Sequence, residues 1–312
     1  MPEKISFYKS PEGESQYWAA YDEALRLWPV PHESFDVTTP YGKTHINTCG
    51  PQEAFPLVLL HGGYASSTMW FPNVADLSRE FRVLALDTIG EPGRSLPTRP
   101  NATKRDCAAW LETVFDALGI SKAHVVGLSR GGWLALNFAL YAPDRLERIA
   151  LLSPAASFIE LNAFFRMVVA AAMRIPARPV AKAALHSWVT PGFLVKPEFE
   201  KQFILGLMNW NWAAQANGYS GVMPSAFNND ELHQIHHPVL LLLGDQDRLN
   251  PPSTIERARQ GIPQIEARLI PKAGHLLSME QPELVDRYIL QFLMAAGRPE
   301  HAQTDLVTIS TL

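Results

Sequence analysis

Short, uninterrupted apolar runs recur along this chain, and they constrain its fold more than any other feature. They lie at residues 56–60, 82–86, 123–126, 148–152 and 238–243, with a weaker one at 267–270. Runs without polar alternation are typical of strands buried on both faces, as in a parallel sheet. Helical stretches lie between them, at 69–77, 104–118, 131–141, 253–259 and 282–293. This alternation predicts an α/β fold with a mostly parallel sheet covered by helices.

The rest of the chain falls into segments around this alternating core. Residues 15–28 have helical apolar spacing and predict a helix within an N-terminal extension, 1–32, while 34–38 and 44–49 read as two strands. Residues 156–234 lack a clean buried strand and are rich in Phe, Met, Trp and Pro, which predicts a helical cap inserted between two core segments, 33–155 and 235–296. The polar tail, 297–312, is expected to be flexible.

Composition excludes several classes of protein. The chain has 312 residues, 19% of them charged, and a net charge of −4, which does not suit a nucleic-acid binder. No apolar run approaches the ~20 residues of a membrane span. The N-terminal segment lacks the basic start and apolar core of a signal peptide, so we expect a cytoplasmic protein. Cys49 and Cys107 have no metal-ligand spacing and are expected to be reduced thiols.

The motif Gly127-Leu128-Ser129-Arg130-Gly131 directly follows an apolar run and opens a helical stretch. A G-x-S-x-G pattern in this strand, turn and helix context is typical of a nucleophile elbow. There a sharp turn strains the serine, and flanking glycines avoid clashes. The helix N-terminus next to the hydroxyl favours developing negative charge. Ser129 is therefore the predicted nucleophile.

A serine hydroxyl needs a base, and the base needs a carboxylate that orients it. His275 is the histidine that follows a late strand and precedes the final helix, which places it at the same sheet edge as Ser129. Asp247 follows the strongest apolar run and is preferred as its partner, with Asp245 as the rival. The chain order Ser, Asp, His is that of α/β-hydrolases.

The oxyanion needs two backbone N–H donors. One is predicted at Arg130, the residue after the nucleophile. The other is predicted at Gly63, in the His61-Gly62-Gly63-Tyr64 loop after the 56–60 run, with Tyr64 as the alternative. His61 itself is expected to be structural, with hydrogen bonds inside its loop.

With these residues in view, the chain resembles the α/β-hydrolase superfamily, and within it the carboxylesterase-like proteins of Bacillus and relatives. The matching segments are HGGYASSTMW, GLSRGG, LLLLGDQD and AGHLLSMEQPE. The resemblance runs from the N-terminal helix to about residue 293 and implies the fold and the Ser129, Asp247, His275 triad. It is far less specific for the substrate.

Two features depart from the family pattern. The segment from Asp87 to Ser95 resembles a D-x-x-G-x-G-x-S loop but carries one extra residue, which changes a loop near the site. Arg130 stands where an apolar residue is more common. Its guanidinium is expected to form a structural ion pair with a nearby acid, and attraction of an anionic substrate is the alternative.

We therefore expect a serine hydrolase that cleaves a carboxylic ester of a small to medium apolar substrate through an acyl-enzyme, without a metal or cofactor. Thioesterase, lactonase, perhydrolase, aminopeptidase and carbon–carbon bond hydrolase activities share the elbow and stay open. Another class is a ligand receptor on the same scaffold. The expected partner is the small-molecule substrate, with no nucleic acid and no membrane, and a homodimer is left open.

Overall fold

The computed structural model describes residues 7–161, 166–167, 175, 177–212, 218–219 and 221–295. Within these residues nine strands form one sheet, in the order β1-β2-β4-β3-β6-β7-β8-β9, with β5 paired to β2. The strands are β1 Glu33–Thr39, β2 Gly42–Cys49, β3 Pro56–Leu60, β4 Arg82–Leu86, β5 Leu96–Pro97, β6 Ala123–Leu128, β7 Leu146–Leu152, β8 Val239–Gly244 and β9 Ile265–Ile270. β1 and β2 are antiparallel, and the strands from β4 to β9 along the sheet are parallel.

Helices follow most strands of the parallel part of the sheet. They are α1 Pro11–Leu25, α2 Val74–Leu77, α3 Lys104–Ala117, α4 Arg130–Tyr141, α5 Arg178–His186, α6 Pro197–Asn209, α7 Asn229–His233, α8 Ser253–Gly261, α9 Leu277–Glu280 and α10 Pro282–Met294. The predicted α/β architecture with a mostly parallel sheet is confirmed.

The central strands are apolar at most positions because each of their faces packs against a separate core. In β3, Leu57 and Leu59 belong to one core, which also contains side chains of α1, α6 and α10. Val58 and Leu60 belong to the other core, with side chains of α3 and α4. Successive strand side chains point to opposite faces. Removing both sets from water stabilises the sheet and leaves its strand ends as the place for polar chemistry.

One predicted helix, residues 69–77, is wrong. The structure has a 3₁₀ turn at Ser67–Trp70 and a separate short helix, α2. Pro72 has no N–H to donate in a continuous helix. The Thr68 carbonyl instead accepts from the indole Nε1 of Trp28 at 3.3 Å, so a tertiary contact takes over part of the lost helical bonding.

The N-terminal helix is more deeply integrated than its sequence pattern indicated. It begins at Pro11, where the Ser10 side chain accepts the Gly13 N–H at 3.1 Å and caps the helix. Tyr21 is fully buried, and its hydroxyl accepts from Asn47 Nδ2 at 2.7 Å. The helix predicted within an N-terminal extension thus forms a buried hydrogen bond with β2 of the sheet.

Between β7 and β8 the described residues form helices α5, α6 and α7. Phe164, Phe165 and Met173, which entered the prediction of a cap, and the predicted tail at 297–312 lie outside the described residues. Cys49 and Cys107 are buried free thiols, as expected. No helix in the described part of the chain combines the length and the apolar character needed to cross a bilayer.

Candidate active site

Ser129 lies on the turn between β6 and α4 with φ 52° and ψ −114°, a strained geometry for a residue with a side chain. The turn is possible because of its glycines. A Cβ at Gly127 would overlap the carbonyl of Gly131, and a Cβ at Gly131 would overlap the carbonyl of Leu60. The two glycines of G-x-S-x-G are therefore dictated by backbone crowding, and the turn has the geometry of a nucleophile elbow.

Backbone hydrogen bonds to the core hold this turn. The Ser129 N–H donates to the Leu152 carbonyl at the end of β7, at 2.9 Å. The Ser129 carbonyl accepts from Trp133 in the first turn of α4 and from Ala155, both at 3.1 Å. The serine therefore sits at the N-terminus of α4, where backbone N–H groups and the helix dipole favour negative charge.

His275 lies on the loop between β9 and α9 and is buried. Its backbone N–H donates to the carbonyl of Trp188 at 2.7 Å. The preceding N–H, of Gly274, donates to Glu280 Oε2 at 2.8 Å, and Glu280 Oε1 accepts the Thr190 N–H at 2.6 Å. The histidine loop is thus hydrogen-bonded to the segment that follows α5.

Asp247 follows β8 and faces the histidine. His275 Nδ1 lies 3.1 Å from Asp247 Oδ2 and 3.3 Å from Oδ1. The carboxylate also accepts the Leu249 N–H at 2.8 Å and Asn250 Nδ2 at 2.9 Å. Asp245, the rival, is exposed and accepts the Ala273 N–H at 3.2 Å. Asp247, not Asp245, is therefore the carboxylate in contact with His275.

The surroundings of Asp247 keep it ionised. Burial disfavours its charged form, but the His275 ring and the hydrogen bonds from Asn250 and the Leu249 N–H outweigh burial and lower its pKa. A carboxylate in this position fixes Nδ1 of the imidazole as the donor. The other ring nitrogen, Nε2, is then the one that can accept a proton.

The loop after β3 carries the predicted oxyanion donors. A Cβ at Gly63 would lie 3.8 Å from Arg130 Cβ, so Gly63 and Arg130 are neighbours. The N–H of Tyr64, the alternative oxyanion donor, already donates to Glu91 Oε2 at 2.8 Å. His61 accepts the Thr88 N–H on Nε2 at 2.8 Å, with Nδ1 2.7 Å from the Gly62 carbonyl, and burial lowers its pKa. The predicted structural role of His61 fits these contacts.

The side chain of Arg130 forms the ion pair expected of it. Arg130 Nε lies 3.0 Å from Glu91 Oε1, and both side chains are buried. Its Nη1 donates to the Val222 carbonyl at 2.9 Å. Glu91 belongs to the loop between β4 and β5, and sequence reasoning did not single it out. The sequence offered two signals for this pair: an acid in the 87–95 loop and an arginine inside the G-x-S-x-G motif.

A cavity brings these groups together. The space that it encloses, together with the solvent at its mouth, is about 770 Å³. Ser129, His275, Gly63, Arg130 and Glu91 lie on its wall. The remaining wall is mainly apolar and comprises Ala65, Met69, Leu128, Ala155, Leu161, Leu185, Trp188, Phe199, Phe203, Met223, Pro224, Leu249 and Leu276, with Gly62 and Tyr64.

Aromatic rings form part of the cavity wall. The Trp188 ring stands edge-on to His275 at 6.3 Å between centroids and edge-on to Phe203 at 5.5 Å. It stacks on Tyr64 at 6.4 Å. These residues come from the segment between β7 and β8 and from the loop after β3. Among the described residues no group of three or more His, Cys, Asp or Glu side chains is arranged to hold a metal ion.

Comparison with known proteins agrees with this geometry. Residues 57–287 match the alpha/beta hydrolase family. The chain is 40% identical to a Bacillus subtilis protein named uncharacterized carboxylesterase nap, over 90% of this chain and 93% of that protein. Two Bacillus subtilis crystal structures, carboxylesterase CesB (YbfK) and naproxen esterase, superpose with TM-scores of 0.85. They share 37% and 39% identity, each over 91% of this chain and 99% of the other.

The family match covers most of the chain, and the similarity to the Bacillus carboxylesterases extends over nearly all of it, in sequence as well as in structure. The strained serine turn, the parallel sheet and the chain order of the three candidate residues are those expected of the same fold. The chain belongs to the alpha/beta hydrolase family.

Proposed function

We propose that this protein is a serine carboxylesterase in which Ser129 is the nucleophile, His275 the general base and acid, and Asp247 the carboxylate that orients the histidine. The observation that carries the proposal is the convergence of a strained serine turn and a buried His275–Asp247 pair on one apolar cavity. The similarity to proteins named carboxylesterases supports the ester as the substrate, ahead of the other acyl and carbon–carbon bonds that this fold cleaves.

The reaction begins when His275 Nε2 takes the proton of the Ser129 hydroxyl as its oxygen attacks the ester carbonyl carbon. Negative charge then develops on the carbonyl oxygen. The backbone N–H groups of Gly63 and Arg130 stabilise it, because preorganised donors need little rearrangement as the charge develops. Asp247 stabilises the positive charge on the imidazole ring.

Collapse of this intermediate breaks the bond to the leaving alcohol, whose oxygen takes the proton from His275. Water then gives a proton to His275 and attacks the acyl carbon. The second collapse returns that proton to Ser129 and releases the carboxylic acid product. In each half-reaction His275 thus takes one proton and passes it on, so the ring ends the cycle in its starting protonation state.

The cavity wall indicates the substrate class. We propose that residues 156–234 act as a cap and that the pocket takes an ester with a small to medium apolar group. Trp188, Phe199 and Phe203 favour a flat aromatic group, because offset and edge-to-face ring packing adds to apolar burial. The name naproxen esterase, given to a relative of known structure, points to an aromatic acyl group for that protein and supports the proposal here.

Hydrolysis of p-nitrophenyl acetate, butyrate, octanoate and phenylacetate by the wild type and by Ser129→Ala tests this function. We expect turnover by the wild type, a loss of about 10⁴-fold or more in the variant, and a preference for the phenylacetate over the acetate. A fluorophosphonate probe should label the wild type and not Ser129→Ala. Equal, slow rates in both proteins and no labelling would overturn the esterase assignment.

A further inference from the structure

Glu91 occupies a position that the reaction described above does not use. Its side chain is 3% exposed, yet it lies on the wall of the cavity that Ser129 also lines. One carboxylate oxygen, Oε2, accepts the Tyr64 N–H at 2.8 Å. The other, Oε1, lies 3.0 Å from Arg130 Nε. One carboxylate therefore joins the loop after β3 to the first residue of α4.

These two partners adjoin the candidate oxyanion donors. Tyr64 follows Gly63 in the chain, with φ 66°, and Arg130 is itself the second donor residue. The Tyr64 N–H is engaged by the Glu91 carboxylate. The peptide before it, which carries the Gly63 N–H, is then held in one orientation. The contact between Gly63 and Arg130 brings the two donor segments side by side.

A buried carboxylate beside a developing oxyanion raises an electrostatic difficulty. A negative charge in an apolar pocket would oppose the negative charge of the transition state, more strongly than in water. The guanidinium of Arg130 neutralises Glu91 at a distance of 3.0 Å and is itself held by the Val222 carbonyl at 2.9 Å. The arginine thereby makes the carboxylate compatible with catalysis.

We propose that Glu91 and Arg130 form a paired positioning device for the oxyanion hole, an inference that rests on the proposed esterase function. Glu91 orients the loop at Gly63 through the Tyr64 N–H, and the Arg130 side chain cancels the charge of Glu91. The pair acts on the transition state and not on the bound ester. Its removal should therefore lower kcat and leave KM nearly unchanged.

Three variants test the pair: Arg130→Met, Glu91→Gln and the double variant. Arg130→Met leaves an unbalanced carboxylate near the oxyanion, and we expect kcat to fall by about 10²-fold, comparable to losing one oxyanion donor. Glu91→Gln still accepts the Tyr64 N–H and leaves a cation, so a fall of about 10-fold or less is expected. The double variant restores neutrality and should exceed Arg130→Met in kcat by about 10-fold.

Affinity for a trifluoromethyl ketone provides a second measurement, because this inhibitor forms the tetrahedral adduct at Ser129. Its Ki should rise in parallel with the fall in kcat across the three variants, while KM stays within about 3-fold. If Arg130→Met does not fold, Arg130→Lys replaces it. That variant keeps the charge and should retain more activity than Glu91→Ala, which leaves the cation unpaired and removes the acceptor of Tyr64.

Glu147→Gln is the matched control, since it removes one partner of an exposed ion pair, 3.2 Å from Lys122, away from the cavity. Its kcat should equal that of the wild type. The proposal would be overturned if the fall in kcat of the double variant equalled the product of the two single-variant falls. It would also be overturned if the loss of kcat/KM came from a higher KM and not from a lower kcat. Failure of the esterase assignment has a different signature, since the wild type would then be as slow as Ser129→Ala before any pair variant is compared.

Discussion

The nucleophile and the histidine line the same cavity, but the molecule holds them in different ways. Ser129 is fixed by the sheet and by α4, through hydrogen bonds to Leu152 in β7 and Trp133 in α4 and through crowding at two glycines. His275 is fixed from the segment between β7 and β8, through the Trp188 carbonyl and through Glu280, which joins Gly274 to Thr190. The sheet and α4 thus set the position of the nucleophile, and a distant segment sets that of the base.

The difference teaches how this site can vary. Contacts within a buried sheet tolerate few changes, because each strand packs on both faces. The histidine loop depends on a small number of hydrogen bonds to a segment outside the sheet. Changes in that segment should therefore alter the alignment of the base while the serine turn stays in place.

The largest expected effect on stability and activity comes from disrupting the turn that holds Ser129. Gly131→Ala places a methyl group against the Leu60 carbonyl, a backbone atom that cannot move without shifting β3. We expect a loss of about 4 kcal/mol or more in the free energy of unfolding, in the range of severe core changes, and esterase activity below detection. Urea denaturation and fluorophosphonate labelling measure the two effects.

Gly119→Ala is the control for that prediction, since Gly119 also lies in a turn, with φ 67°, but has no atom within 4 Å of an added Cβ. Backbone strain alone should then cost about 1 kcal/mol and leave the activity intact. Equal losses in the two variants would show that crowding at the elbow is not what fixes the serine.

Disrupting the hydrogen bonds that hold the His275 loop should have a smaller effect on stability and activity. Glu280→Ala removes the acceptor of both the Gly274 and the Thr190 N–H groups. We expect kcat to fall by about 10-fold and the free energy of unfolding by about 1–3 kcal/mol, as for unsatisfied buried donors. Ester kinetics and urea denaturation are the measurements, and Glu283→Ala, an exposed acid nearby, is the control.

The serine turn should be unaffected in Glu280→Ala. A crystal structure of the variant would show Ser129 unmoved and the His275 loop displaced. If both segments moved together, or if the activity matched that of Glu283→Ala, the two sides of the site would not be independently held.

The smallest effect on activity is expected from substitution of Asp286, a buried carboxyl group linked through Asn73 to the helix that follows the His275 loop. Asn73 Nδ2 donates to Asp286 Oδ1 at 2.8 Å and to the carbonyl of Ser278 in α9 at 3.1 Å. Burial, with added repulsion from Asp76 and Glu283, raises the pKa of Asp286 to about 8 against the Asn73 hydrogen bond. The folded protein therefore keeps this proton at neutral pH.

The unfolded chain releases the same proton near pH 3.8. The stability that the protonated Asp286 carboxyl contributes to the folded protein is therefore complete below that pH and declines as the pH rises toward 8. Asp286→Asn should remove this decline, with a gain on the order of a few kcal/mol at pH 9 relative to the wild type. Urea denaturation from pH 5 to 9 measures it, with the exposed Asp144→Asn as control. Parallel pH profiles of the wild type and Asp286→Asn would contradict the prediction.

Much of the site could be located from local patterns. Gly127 and Gly131 indicated the turn in the sequence. Glycine is needed there because a Cβ would overlap atoms a few residues away in α4, or atoms of the adjacent strand. His275 and Asp247 could be chosen because each follows a strand, and strand ends of a parallel sheet meet at one edge. The structure places His275 on the wall of the cavity that Ser129 lines, and Asp247 in contact with His275.

Other features had no such signal. At the break of the predicted 69–77 helix, Pro72 was visible in the sequence, but the hydrogen bond from the distant Trp28 ring to the Thr68 carbonyl was not. Glu280 lies a few residues after His275, and nothing in that spacing shows that its carboxylate reaches Thr190. Glu91 was visible only as an acid in the 87–95 loop. In each case the partner is far away in the chain, so local spacing carries no information about the contact.

The sequence by itself determined the parallel sheet and the segments that carry the candidate nucleophile, base and carboxylate, because apolar runs and glycine requirements are local and periodic. The tertiary structure alone decided that Glu91 pairs with Arg130, that the Tyr64 N–H is engaged, and that the histidine loop is hydrogen-bonded to residues 188–190. Those contacts join segments distant in the chain, and they exist only where packing has placed a donor within about 3 Å of its acceptor.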